Sequence, residues 1–115
     1  MRDPKTDHLL TPQNAAFILI DYQPVQISTI ESMDKTRLVS NITVLAKMVK
    51  AYKLPIVVST VNVKTGLNKP MLHQLREVFD DVDPFDRTTI NAWEDKEVRE
   101  AIIATGRKKS IICAL

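Results

Sequence analysis

Glycine is nearly missing from this chain: Gly66 and Gly106 are the only two among 115 residues. A loop that wraps a phosphate needs several residues whose backbone approaches the ligand closely and adopts positive φ. No such Gly-rich segment is available, and no nucleotide cofactor is expected. Cysteine is rarer still. Cys113 stands alone, so no internal disulfide forms, which fits a reducing compartment. Histidine occurs twice, as His8 in a polar leading stretch and His73 on a polar helical face, positions that suit solvated side chains better than metal ligands. No metal is expected. Long hydrophobic runs are also missing. Ala15–Ile20 is far shorter than the ~20 residues that cross a bilayer, and "MRDPKTDHLL" lacks the apolar segment of a signal peptide.

Neither sign of charge dominates. Sixteen Lys and Arg against fourteen Asp and Glu give a net charge of +2, with the basic residues scattered. Neither nucleic acid nor a membrane surface is indicated as a partner. The hydrophobic share of 44% and charged share of 26% are ordinary globular usage, so one domain over residues 1–115, soluble and cytoplasmic, is the expectation.

What is present is patterned. "AAFILID" is a continuous apolar run closed by an acid, the signature of a strand buried on both faces. From Asp34 to Tyr52, Leu38, Ile42, Leu45, Val49 and Tyr52 recur three or four apart, with Arg37, Lys47 and Lys50 on the other side: an amphipathic helix. "LPIVVSTV" is a second strand, with Pro55 at its first position, where a missing N–H matters least. After a loop, "NVKTGLNKP", Met71, Leu72, Leu75, Val78 and Phe79 mark a short helix with His73, Gln74, Arg76 and Glu77 exposed. An acidic turn, "DDVDPFD", leads to a third strand near Phe85 to Thr88. "NAWEDKEVREAIIATG" has Asn91 and Glu94 at capping-box spacing and Gly106 where a helix terminates, which predicts a third helix. "KSIICAL" is the fourth strand.

Strand and helix alternate throughout, the order of an α/β fold: an open parallel sheet with right-handed crossovers and helices on both faces. Such sheets bind ligands at the carboxyl ends of their strands. Asp21, Tyr22 and Gln23 lie there after the first strand, Asn62 and Lys64 after the second, and Arg87, Thr88, Thr89 and Asn91 around the third. A parallel strand ending at Leu115 with nothing beyond it leaves an uncovered edge, so the domain reads as unfinished.

"FILIDYQ", then "DRTTINAWED", then "ATGRKKSIICAL", in that order and spacing, resembles the isochorismatase-like cysteine hydrolases, in particular their metal-free branch. The resemblance covers nearly the whole chain from Ala15. It implies a six-stranded parallel sheet of which four strands are here, and a nucleophilic cysteine in a G-x-x-T-E-x-C loop expected just past Leu115. On that alignment Cys113 sits within the fourth strand among Ile111, Ile112, Ala114 and Leu115, a small buried hydrophobe with a raised thiol pKa. Asp21 matches the triad aspartate, which passes the thiol proton to the leaving group; its alternative is a helix cap or turn residue. Arg87 stands where the family usually has lysine. It keeps its proton at neutral pH, so its implied role is electrostatic, the alternative being an unpartnered surface arginine. Gln23, Asn91 and Trp93 match positions near the substrate pocket, although Trp93 equally suits packing at a helix start. Metal-binding relatives, the nicotinamidases, carry histidines after the second strand, and "STVNVKTGLN" has none.

The resemblance implies hydrolysis of a small amide or related carbonyl through a thioester, in a homo-oligomer, with this segment alone inactive. Two other readings stand beside it: a non-catalytic member serving oligomer assembly, and a receiver-like phosphoacceptor domain. The second lacks the paired acids such domains place after the first strand.

Overall fold

The computed structural model describes residues 8–115. Its elements run β1 (Ala15–Ile20), α1 (Pro24–Ser28), α2 (Lys35–Ala51), β2 (Ile56–Val61), α3 (His73–Val78), β3 (Phe85–Arg87), a 3₁₀ turn (Ala92–Glu94), α4 (Lys96–Ala104) and β4 (Lys109–Ala114). The four strands form one parallel sheet in the order β3-β2-β1-β4. Its centre is β1, whose first five residues are buried, which is why its sequence shows no polar alternation.

Alternation along the strands separates two faces. Phe17 and Leu19 of β1, Val58 of β2 and Ile111 and Cys113 of β4 meet Ile42, Ala46 and Val49 of α2 and Leu75 and Phe79 of α3 in one core. Phe17 and Phe79 place their ring centroids 6.1 Å apart in a tilted pair. Each of these large side chains stabilises the fold by roughly 2–3 kcal/mol through the area it removes from water. The opposite face carries Ile18, Ile20, Val57, Ser59, Arg87 and Ile112, and there α4 covers only part of the sheet.

Local signals set the helix ends. Asp34 caps α2 by accepting from the Arg37 N–H at 2.9 Å. Lys53, with φ 59, turns the chain out of that helix toward Pro55, which immediately precedes β2 rather than opening it. Gly106 adopts φ 68 just beyond Thr105 and ends α4 in the left-handed conformation that glycine takes without a Cβ penalty.

Three expectations are corrected. The Asn91–Glu94 capping box does not form: Asn91 caps the 3₁₀ turn through the Trp93 N–H, and Asp95 caps α4 by accepting from Val98 N–H at 3.0 Å. Two potential caps lie four residues apart, and the later one begins the α-helix. Gln74 is half-buried rather than exposed, because its side chain lies in the groove between α2 and α3. The third strand ends at Arg87, one residue before Thr88, where the chain leaves the sheet edge. Among the described residues, no helix is long and apolar enough to cross a membrane.

Candidate active site

Both central strands end in a sharp turn made by a non-glycine residue. Asp21 follows β1 with φ 63, and Asn62 follows β2 with φ 57. Aspartate and asparagine enter this left-handed region at lower cost than other side chains, though still at some strain. The Asp21 N–H still bonds the Ser59 carbonyl at 3.0 Å, extending the ladder by one step, before the chain reverses and Gln23 N–H bonds the Asp21 carbonyl at 2.8 Å. The Asp21 carboxylate is thereby held at the carboxyl edge of the sheet.

There it meets Arg87. The guanidinium donates to both carboxylate oxygens, Nη1 to Oδ1 at 2.7 Å and Nη2 to Oδ2 at 2.9 Å, a bidentate fork that a lysine cannot make. Nη1 also donates to the Ser59 hydroxyl at 3.0 Å and the Thr60 carbonyl at 3.3 Å, and Nη2 to the Ile90 carbonyl at 3.1 Å. Ser59 donates its own hydroxyl proton to the Phe85 carbonyl at 3.1 Å, so its lone pairs face the arginine. The Arg87 side chain is 1% exposed against 19% for Asp21. The charge is paired and multiply bonded, which is the condition for its burial.

The last two residues of β3 serve opposite faces. Asp86, one position before Arg87, points to the α2 side and accepts from the Thr60 hydroxyl at 2.8 Å, Val63 N–H at 3.1 Å and Lys64 N–H at 2.9 Å. Burial pushes its carboxyl upward, but the Lys64 and Val63 amides, the Thr60 hydroxyl and the Lys64 charge together hold it below its ordinary value. Neither Asp86 nor Ser59 was singled out in the sequence. A serine breaking the apolar run "VVSTV" and an acid adjoining the candidate arginine were the available signals.

Asp21, Arg87, Asn91 and Trp93 line one cleft of about 500 Å³, floored by Ile18, Ile20 and Ile112. Gln23 does not line it. Its side chain is fully buried, with Nε2 bonded to the Val61 and Lys69 carbonyls at 3.1 and 2.8 Å and Oε1 accepting from Val61 N–H at 3.0 Å, clamping the turn after β1 to β2 and the loop before α3. Cys113 pairs in register with Leu19 and faces the packed core with it, on the other side of the sheet from the cleft. Burial pushes its thiol up. The neighbouring Tyr22 hydroxyl is likewise raised, first by burial and then by Cys113. His8 and His73 are both exposed, and among the described residues no three His, Cys, Asp or Glu side chains converge as metal ligands.

A carboxylate–guanidinium pair at the carboxyl edge of a parallel sheet, beside an apolar cleft, defines a doubly wound α/β domain with its ligand end at the strand termini. Residues 15–113 match the Isochorismatase domain model, and the chain belongs to that family of hydrolases. It is 30% identical over 107 residues to the probable hydrolase YcaC of Escherichia coli K12, covering 92% of this chain and 51% of that protein. The crystal structure of E. coli YcaC, described as an octameric hydrolase of unknown specificity, superimposes with a TM-score of 0.86 at 30% identity, covering 93% and 52% of the two chains. YcaC from Pseudomonas aeruginosa, solved with hexane-2,5-diol and covalent acrylamide, gives 0.85 at 28% identity, covering 94% and 54%. The chain spans about half the length of these relatives.

Proposed function

We propose that Asp21 and Arg87 are two members of a cysteine hydrolase triad whose nucleophile comes from polypeptide outside residues 1–115, acting on a small amide or related carbonyl. The observation that carries this reading is the Asp21–Arg87 fork at the cleft, with Asp21 retaining access to solvent. Each carboxylate oxygen keeps a lone pair beyond the one given to Arg87 and can accept the thiol proton. The thiolate then adds to the carbonyl carbon, Asp21 returns the proton to the departing nitrogen as the C–N bond breaks, and a thioester remains. Water adds to that thioester, the C–S bond breaks, and the thiol is restored. Arg87 keeps its charge throughout and stabilises the ionised groups around it. Gln23 acts by holding the strand ends in place. The covalent acrylamide on the P. aeruginosa relative supports a reactive nucleophile in that protein; acrylamide is trapped at its vinyl carbon, so the adduct speaks for the nucleophile and not for the amide chemistry.

Joining to Leu115 the part of E. coli YcaC beyond its match to this chain supplies a second half for the test. The chimaera is expected to take up one acrylamide by intact mass, and Asp21→Asn to slow that addition about a hundredfold. Labelling at an unchanged rate removes Asp21 from the mechanism. A second reading, assembly of copies into an oligomer, draws support from the octameric relative and from Val44, Met48 and Tyr52, an exposed apolar row along α2. We propose homo-oligomer formation alongside catalysis.

A further inference from the structure

We infer that the cleft selects an uncharged ligand, an amide carrying an apolar group, and rejects carboxylates and other anions of the same shape. The inference rests on reading this cleft as the substrate site and adds the charge rule. Among the described residues Arg87 is the only cationic side chain lining the cleft, and its two terminal nitrogens are already engaged with both Asp21 oxygens, the Ser59 hydroxyl and the Thr60 and Ile90 carbonyls. Its Nε is buried without an acceptor, so it is not presented to a ligand either. The guanidinium cannot turn toward an incoming anion without abandoning a bidentate partner, and the Asp21 carboxylate, the more exposed of the two, is what an entering group meets.

The remaining side chains that line it are neutral. Ile18, Ile20, Ile102 and Ile112 offer hydrocarbon, and half-exposed Trp93 adds an indole. Asn91 engages its Oδ1 with Trp93 N–H at 3.0 Å, which leaves its amide NH₂ as an uncharged donor suited to a carbonyl oxygen. An anion that settles against these walls sheds part of its hydration, faces the Asp21 carboxylate and gains no counter-charge, a penalty that a neutral amide avoids.

Trp93 is the only tryptophan in the chain and reports directly on the cleft. Benzamide and benzoate, nearly identical in shape and different in charge, are titrated against its fluorescence, with Ile18 and Ile112 methyl shifts confirming the location. Two neutral residues added after Leu115 move the terminal carboxylate out of the comparison. Benzamide is expected to bind at least about tenfold more tightly than benzoate. Asp21→Asn releases the Arg87 charge and is expected to raise benzoate affinity about tenfold or more. Equal binding, tighter benzoate binding, or no saturable change with either compound overturns the inference, as does a folded Asp21→Asn chain that still rejects benzoate. Should that variant not fold, the wild-type pair of titrations decides alone. Binding is read without turnover, so benzamide selectivity with no acylation in the chimaera retains the charge rule and sinks the hydrolase reading.

Discussion

The two faces of the sheet are built from the same strands by opposite means. On one, Phe17, Leu19, Val58, Leu75 and Phe79 interlock in a dry core whose energy comes from apolar area. On the other, Ile112 is 61% exposed, the packing is open, and a buried ion pair with its five guanidinium hydrogen bonds provides the order. The first face holds the strands together. The second uses the resulting rigidity to present a charge pair whose geometry apolar packing alone does not set.

The contrast breaks first at Phe79→Ala. Deleting a fully buried ring from the packed face is expected to cost about 3–5 kcal/mol in urea unfolding, and a loss under about 1 kcal/mol would mean that this face is not close-packed. Next comes Asp21→Ala, which strands a guanidinium that is 1% exposed and is expected to cost about 3 kcal/mol. The reverse change, Arg87→Met, is expected to cost less, since the carboxylate left behind still meets water. If the two losses are equal, burial of the arginine is not the source of the effect.

Asp86→Asn tests the staple between β3 and the loop after β2, with an expected loss of about 1.5 kcal/mol at neutral pH. A carboxyl held below its ordinary 3.8 stabilises the fold above that value, and the contribution is lost as pH falls through the lower folded value. The wild-type and Asp86→Asn unfolding midpoints should therefore converge in acid. A constant gap would assign the effect to shape rather than charge. The smallest change is Ile112→Ala on the open face, expected within about 0.5 kcal/mol. Cys113, with its raised thiol, should label slowly until the chain unfolds, while Ile112→Cys in a Cys113→Ala chain labels at once; similar rates would erase the distinction between the faces.

The packed face was legible in the sequence because hydrophobic periodicity is a local property. Leu38, Ile42, Leu45 and Val49 announce α2, and "AAFILI" announces the central strand. α1 was not legible: five residues opening on Pro24, with no side-chain cap and one buried residue, carry too little pattern. At the site, the family resemblance singled out Asp21 and Arg87, which the fold joins across 66 positions. The clamp made by Gln23 and the partnership of Ser59 with Arg87 were invisible, since each depends on which distant groups the fold brings within 3 Å or so, backbone carbonyls for Gln23 and a side-chain hydroxyl for Arg87, at separations of 28 to 46 residues.

The opposed duties of Asp86 and Arg87 make β3 unusually intolerant of a register slip. A shift of one residue in its pairing with β2 sends every side chain to the other face of the sheet. Slipped one way, the Asp86 carboxylate would sit against Asp21 and repel it; slipped the other way, the Arg87 guanidinium would be offered to the Val63 and Lys64 amides, which are donors themselves. Either outcome is unfavourable, so the edge strand resists slipping through chemistry that its three residues of ladder could not supply.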